Sequence, residues 1–377
     1  MVAHIGISVT VSPDPVHGYV GGLECLPTDH WGRWCDLCAA VSKDGINWTL
    51  LRGLNGTGDD HLDAIQPGPA DSYVQIIPNL QGGGRTLITR YEFPIKPPGH
   101  PNFKWRGARG VRFVRNMAPD LTSPGAAGNW SVARRFYLDL QYGPELEHLR
   151  RQLYTMTVTP YGGMYFAFVT VLEWPKEFSN AVDADVERIY LATSRDGLNY
   201  DLTWIYAEQP LFSPGTYGSF DNGTMFPSSQ FVSYKDEHYI FYKGCPHGHE
   251  NRPPKGEANC QIGVVRFDLD SLAYLVPKDT EEWSTVTTKQ FKLEGDELEV
   301  NVGMLSSSGE LVVEILNPET HEPFPGFGCG DGQVLKKTGI HERVGWKNMA
   351  DMKQLHGKMV MFQFHFVSAS LRAFQVL

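Results

Sequence analysis

Four acidic residues stand where polar loops run into apolar, strand-like segments of this 377-residue chain: Asp63, Asp139, Glu145 and Asp221. Two carboxyl groups facing each other across a bond can divide acid–base work. One stays protonated to assist a leaving oxygen; the other stays ionised as nucleophile or base. Asp221 lies in YGSFDNGTMF (Tyr217–Phe226), and Asp63 competes with Asp59 and Asp60 in GTGDDHLDA. Glu145 sits in YGPELEH beside Tyr142 and Pro144, where apolar surroundings would raise its pKa and suit it to the acid role. Glu92, in TRYEFP at a strand end, competes for that role. The bland reading of each aspartate is a turn-former, because Asp caps turns in any loop.

Arginines gather near these acids: Arg90 in ITRYEF, Arg106, Arg109 and Arg112 in WRGARGVRF, and Arg134, Arg135, Arg150 and Arg151. A guanidinium fork binds carboxylate or sulfate through two parallel hydrogen bonds. Arg90 and Arg109 are the two expected in a pocket; the others read as strand-edge charges paired with nearby acids. Tyr142 and Tyr154 are candidate binding aromatics, and His247 in CPHGHENRPP reads as a pocket-rim hydrogen-bonding residue. His247 and His249 have a spacing that could suit a metal, but no partner carboxylate is identifiable in the sequence, so hydrogen bonding at a pocket rim outweighs ligation for this loop. No metal and no cofactor are therefore expected.

The elements that must position these groups follow from a repeat. SKDGINW (Ser42–Trp48) and SRDGLNY (Ser194–Tyr200) share Ser-x-Asp-Gly-x-Asn-aromatic, in which Asp-Gly makes the turn and the aromatic packs the next strand. A degenerate copy holds Asp120, equally spaced from Asp44 and Asp196, and a fainter one holds Asp268 in VVRFDLDSLAYL. Each unit reads as turn motif, acid-bearing loop, strand, tight turn, strand. A supersecondary unit recurring every seventy-odd residues indicates propeller blades, with the first strand of each lining a central channel. Asp60 or Asp63, Asp139 and Asp221 then become positional equivalents at the channel mouth.

The expected architecture is all-β: a five-bladed-type β-propeller over residues 1–277 with a short first blade, a polar linker over 278–289, and a small antiparallel β-sandwich over 290–377. The sandwich is read from FKLEG, ELEVNVGM, ELVVEILN and KMVMFQFHFVSASLRAFQVL, separated by turns such as SSSG. Few polar residues converge there, so a supporting role is expected.

A formal charge of −10 argues against nucleic-acid binding. No apolar run reaches the length of a membrane-spanning helix, and no membrane partner is expected. The start, MVAHIGISVTVSP, reads as no signal peptide. Sequons at Asn47, Asn55, Asn129 and Asn222 lean toward an extracellular or secretory-pathway location. Cys35 and Cys38 form a lone CxxC in a strand-like run, where a buried strand outweighs a zinc site. Cys245 and Cys260 bracket a Pro/Gly-rich loop suited either to a disulfide or to two free thiols.

The two SxDGxN-aromatic turns, SFDNGTMF followed by HYIFYKG, the run ELEVNVGMLSSSGELVVEILN…PFPGF, and the closing SASLRAFQV together resemble proteins related to five-bladed propeller glycoside hydrolases, such as those cutting fructans and arabinans. The resemblance covers nearly the whole chain from about residue 18. It implies a carbohydrate substrate and carboxyl groups on inner strands of different blades, which Asp63, Asp139 and Asp221 fit by position, with Glu145 as the acid. The arginines make an anionic sugar the natural extension, and Tyr142 and Tyr154 would stack on its rings. The reading is thus a glycoside hydrolase-like protein. Its rival is a non-catalytic glycan-binding or structural propeller, since fold does not carry function.

Overall fold

The computed structural model describes residues 8–11, 17–25, 35–51, 66–70, 73–93, 108–118, 130–138, 151–173, 185–249, 259–347 and 351–377. The chain divides into two compact units, Met1–Phe231 with Ile240–Val265, and Val232–Tyr239 with Arg266–Leu377. No helix among the described residues is long and apolar enough to cross a membrane.

The chain is all-β, as its sequence pattern led us to expect, and its first sheets are antiparallel and built from neighbouring strands. Strands β1 (Ser8–Val11), β2 (Tyr19–Cys25), β3 (Cys35–Ser42) and β4 (Trp48–Leu50) run in order, with β5 (Gln66–Ala70) also pairing β3. Next come β6 (Gln75–Pro78), β7 (Arg85–Phe93), β8 (Ala108–Asn116) and β9 (Ser131–Phe136), again in sequence order. The third sheet is β10 (Arg151–Tyr161), β11 (Met164–Glu173) and β12 (Val186–Ser194). In the fourth, β15 (Glu237–Cys245) pairs with β13 (Thr224–Pro227), β14 (Val232–Tyr234) and β16 (Gln261–Asp268). One sheet per stretch of chain is the connectivity of propeller blades.

The two full turn motifs fold almost identically. Asp44 Oδ1 accepts from the Ile46 and Asn47 N–H at 2.8 and 2.7 Å, and Asp196 Oδ1 accepts from Leu198 and Asn199 at the same distances. Each outer oxygen takes the Asn amide, at 2.8 Å in the first turn and 2.6 Å in the second. At Asp44 the Asn47 and Ile46 hydrogen bonds to the ionised form lower the pKa; at Asp196 burial raises it, and the combined bonds from Asn199, Leu198 and Ser194 outweigh that and lower it. The faint copy differs: at Asp268 it is the backbone carbonyl that takes the Ser271 N–H and hydroxyl. Asp120 lies outside the described residues.

The packing between these sheets is apolar. Ile88, Val111 and Phe113 from the second sheet meet Leu153, Met156, Val158, Val169 and Val171 from the third. Val and Ile dominate because branched side chains fill a pleated surface well. A buried guanidinium interrupts the pattern: Arg151 bonds Glu173 at 3.0 Å and the Ile205 carbonyl at 2.6 Å.

The second unit contains two antiparallel sheets. In one, β22 (Met359–Val367) pairs with β17 (Ser284–Thr287), β18 (Phe291–Lys292) and β20 (Glu310–Leu316); in the other, β19 (Leu298–Met304) lies between β21 (Gly339–Arg343) and β23 (Ala369–Val376). Their inward faces share one core, including Val300, Val302, Val313, Ile315, Phe362, Phe364 and Leu371. Four residues of the polar stretch 278–289 thus form a strand, Ser284–Thr287, whose partners are Gln363–Phe366.

Candidate active site

Of the carboxylates singled out in the sequence, Asp221 is the one whose side chain is described. It is buried, and both of its oxygens are occupied. Oδ1 accepts from the Ser219 hydroxyl at 3.0 Å and the Gly215 N–H at 3.2 Å; Oδ2 accepts from the Tyr242 hydroxyl at 2.7 Å. Burial, then the bond to Asp221, pushes the Tyr242 phenol upward, so it stays protonated and keeps donating. Asp221 therefore ties the 215–221 turn to β15. Asp60, Asp63, Asp139, Tyr142 and Glu145 lie outside the described residues, as do Arg106 and Arg150.

A different acid occupies the place where polar groups converge. Glu187 is the second residue of β12, opposite Leu172 of β11, and its N–H donates to the Gly223 carbonyl at 3.1 Å. Its side chain is fully buried, and neither carboxyl oxygen has a hydrogen-bond partner among the described residues. Burial pushes its pKa well above the ordinary 4.5. Arg109 opposes that rise, Asp185 reinforces it, and Arg90 and Lys243 oppose it further. Desolvation wins, so the carboxyl holds its proton where an exposed glutamate has lost it.

Two arginines reach the site from one face of the second sheet. Arg109 on β8 pairs with Glu92 on β7, and Arg90 pairs with Val111, which places Arg90 and Arg109 diagonally on the same side. Both are buried, and the Cζ of each stands 5.2 Å from the centre of the Tyr154 ring. Cation–π attraction of this kind favours holding guanidinium groups in place. Gln152 Oε1 accepts from the Arg109 backbone and side chain, each at 3.3 Å. The backbone of Glu92 pairs with Arg109, and its side chain lies outside those described.

Tyr154 sits where the β10–β11 register shifts, between Leu153 and Thr155. Bulges re-aim side chains, and here the hydroxyl meets His249 Nε2 at 2.7 Å while the two rings lie 5.0 Å apart. His249 is anchored in turn: its N–H donates to the Asp185 carbonyl at 2.9 Å. A side chain at Gly248 would strike Asp185 Oδ1 at 2.2 Å, so the absence of a Cβ is what lets the histidine loop close against β12. The loop begins at the Cys245–Cys260 disulfide, which realises one of the two alternatives open for that cysteine pair. His247, the other histidine of this loop, has Nδ1 3.4 Å from the Gly248 carbonyl.

Sequence reasoning selected Arg90, Arg109 and Tyr154, which the structure brings together. Glu187, Asp185 and Gln152 were not among the expected site residues, while the hydrogen-bonding role expected of the His247/His249 loop is one that His249 takes toward Tyr154. A signal was present in DADVERIYLATS: Glu187 shares its strand phase with Ile189 and Leu191, so a charge stands in an apolar series. The opposite face of the second sheet carries Arg112 and Arg135, paired across β8 and β9 and both set over Tyr91.

The sequence matches no protein-family model and no curated protein. Solved structures give remote likenesses. An N-acetylgalactosamine deacetylase from F. plautii, solved with blood group B trisaccharide, matches at 14% identity and a TM-score of 0.42 over 70% of this chain and 73% of its own. A Bombyx mori beta-fructofuranosidase matches at 11% identity and 0.38, over 95% and 89%. Sucrose-6-phosphate hydrolase from Lactobacillus gasseri matches at 11% identity and 0.28, over 93% and 88%. At these values nothing about the chemistry of the site transfers from them.

Proposed function

We propose that this chain hydrolyses glycosidic bonds in an anionic oligo- or polysaccharide, with Glu187 as the acid that protonates the leaving oxygen. The observation that carries this reading is the Glu187 carboxyl, held protonated by burial beside two arginines, a tyrosine and a histidine. Glycoside hydrolysis needs one carboxyl protonated and a second ionised. Asp185 helps to keep the proton on Glu187. The ionised partner is drawn from Asp63 and Asp139, which the sequence repeat makes positional equivalents and which lie outside the described residues. Arg90 and Arg109 give the substrate its expected charge, a uronate or a sulfate ester, through bidentate contacts. Asp221 and Tyr242 serve the turn. Because Glu187 is fully buried, substrate entry must uncover it.

That same burial supports a second reading, a glycan-binding propeller in which Glu187 is structural. Reducing-sugar release from a panel of neutral, uronic and sulfated glycans separates the two, using wild type and Glu187→Gln. Hydrolysis should be confined to anionic members and fall by about 10²–10⁴-fold in the variant. A variant that cleaves as well as wild type removes Glu187 from the chemistry. Saturable binding without cleavage by wild type selects the second reading.

A further inference from the structure

The sandwich unit holds a set of donors that the hydrolase reading does not use. Glu314 on β20, His365 on β22 and Cys329 in the loop PFPGFGCGDG present Oε, Nε2 and Sγ atoms within 4.8 Å of one another. Cys329 is a free cysteine. Glu314 and His365 arise from adjacent strands, with Glu314 opposite Gln363 and His365 opposite Val312. They are diagonal neighbours on one face. Their Oε2 and Nε2 atoms stand 3.2 Å apart.

That spacing is informative. Bond lengths to zinc of roughly 2.0–2.3 Å at tetrahedral angles put ligand atoms about 3.3–3.6 Å from each other. Glu314 and His365 are thus already at the separation of two ligands on one ion, and Cys329 has a short distance to close. Further groups orient the set. Glu314 Oε1 accepts the Cys329 N–H at 2.7 Å, which fixes the loop beneath the carboxylate. On the far side of the imidazole, Thr285 Oγ1 lies 3.0 Å from His365 Nδ1. Without metal, Nε2–H donates to Glu314 Oε2; with an ion in place of that hydrogen, Nδ1–H can donate to the Thr285 hydroxyl, the orienting bond that metal-bound histidines make. The side chains are partly shielded, 21% exposed for His365 and 14% for Glu314.

We propose that Cys329, His365 and Glu314 form a zinc site, with Thr285 as the group that orients His365 and a water completing the tetrahedron. Mixed thiolate, imidazole and carboxylate donors suit this borderline-soft ion. On binding, the Cys329 S–H bond breaks and its proton passes to solvent, His365 releases its Nε2 proton to solvent and takes one up at Nδ1, and the freed sulfur and Nε2 lone pairs form the bonds to zinc, which undergoes no redox change. Without metal, burial and then the Glu314 bond push the thiol up to about 12, so this cysteine is a neutral group until an ion displaces its proton.

The test uses the full-length, disulfide-intact chain, stripped with chelator and titrated with Co²⁺ and then Zn²⁺. One equivalent of Co²⁺ should give a sulfur-to-cobalt charge-transfer band with intense visible bands of tetrahedral cobalt, and Zn²⁺ should erase both. Cys329→Ser should lose the charge-transfer band and weaken zinc binding by more than about 100-fold, while Thr285→Val should weaken it roughly 10–100-fold. Melting in chelator, compared between Cys329→Ser and wild type, shows whether the variant folds. No charge-transfer band in wild type at tenfold excess Co²⁺ would overturn the proposal. So would a band that survives Cys329→Ser. Either result would leave the three side chains as a hydrogen-bonded strut between two strands and a loop.

Discussion

At the scale of single residues, burial without a hydrogen bond distinguishes Glu187 from Asp221. Asp221 is buried with three hydrogen bonds to its oxygens, an arrangement that leaves neither oxygen without a partner and suits a permanent structural role. Glu187 has no such bonds among the described residues, and desolvation keeps its proton on. The sign of the pH effect follows. The folded chain binds the Glu187 proton at pH values where the unfolded chain, titrating near 4.5, has released it. Stability is therefore lost at this site as pH rises above about 4.5 toward the raised folded value, and it is fully present below. Glu187→Gln cannot titrate, so its melting temperature relative to wild type should climb as pH is taken from 4 to 8. A constant difference across that range would show that Glu187 ionises normally. None of this could be read from spacing alone, because desolvation depends on which neighbours cover the carboxyl. The sequence marks Glu187 only as a charge in an apolar phase.

At the scale of elements, the SxDGxN turns show how much local chemistry dictates. Two heptapeptides far apart in sequence close the same hydrogen bonds to within a few tenths of an ångström. Both glycines adopt positive φ, 75° at Gly45 and 69° at Gly197. Alanine at either should cost about 1–2 kcal/mol for that conformation. The surroundings then separate them. A Cβ at Gly197 would lie 2.9 Å from the Tyr165 ring, which is pinned by the Leu80 N–H on its hydroxyl, whereas at Gly45 the nearest atom is 3.5 Å away on Tyr19. Thermal melts should accordingly rank Gly197→Ala below Gly45→Ala. Equal losses would mean that Tyr165 moves freely. The turns and the strands that follow them were legible because Gly φ and strand alternation are local; the faint copy at Asp268 was legible in position but not in geometry, since its residues lack the Ser and Asn that fasten the other two.

At the scale of the whole molecule, the all-β class and the order of the strands followed from a repeat, while the grouping of the site depended on which strand ends meet. Arg90, Arg109, Tyr154, Glu187 and His249 come from five separate segments, and no spacing rule joins them. The disulfide is one of the joints that hold them: Cys245 and Cys260 close a loop of sequence separation 15 that carries His247 and His249. Closing a loop of that length is worth about 3 kcal/mol through the unfolded chain. Reduction should lower the melting temperature and weaken binding of anionic glycans together, as followed by calorimetry and by titration with a uronic oligosaccharide. Lower stability with unchanged affinity would separate the loop from the site. The most direct test of the central claim is glycan hydrolysis by Glu187→Gln measured beside wild type. A folded variant that still binds a uronic or sulfated substrate but cleaves it about 10²–10⁴-fold more slowly is the result we predict; wild-type rates in that variant would contradict the account.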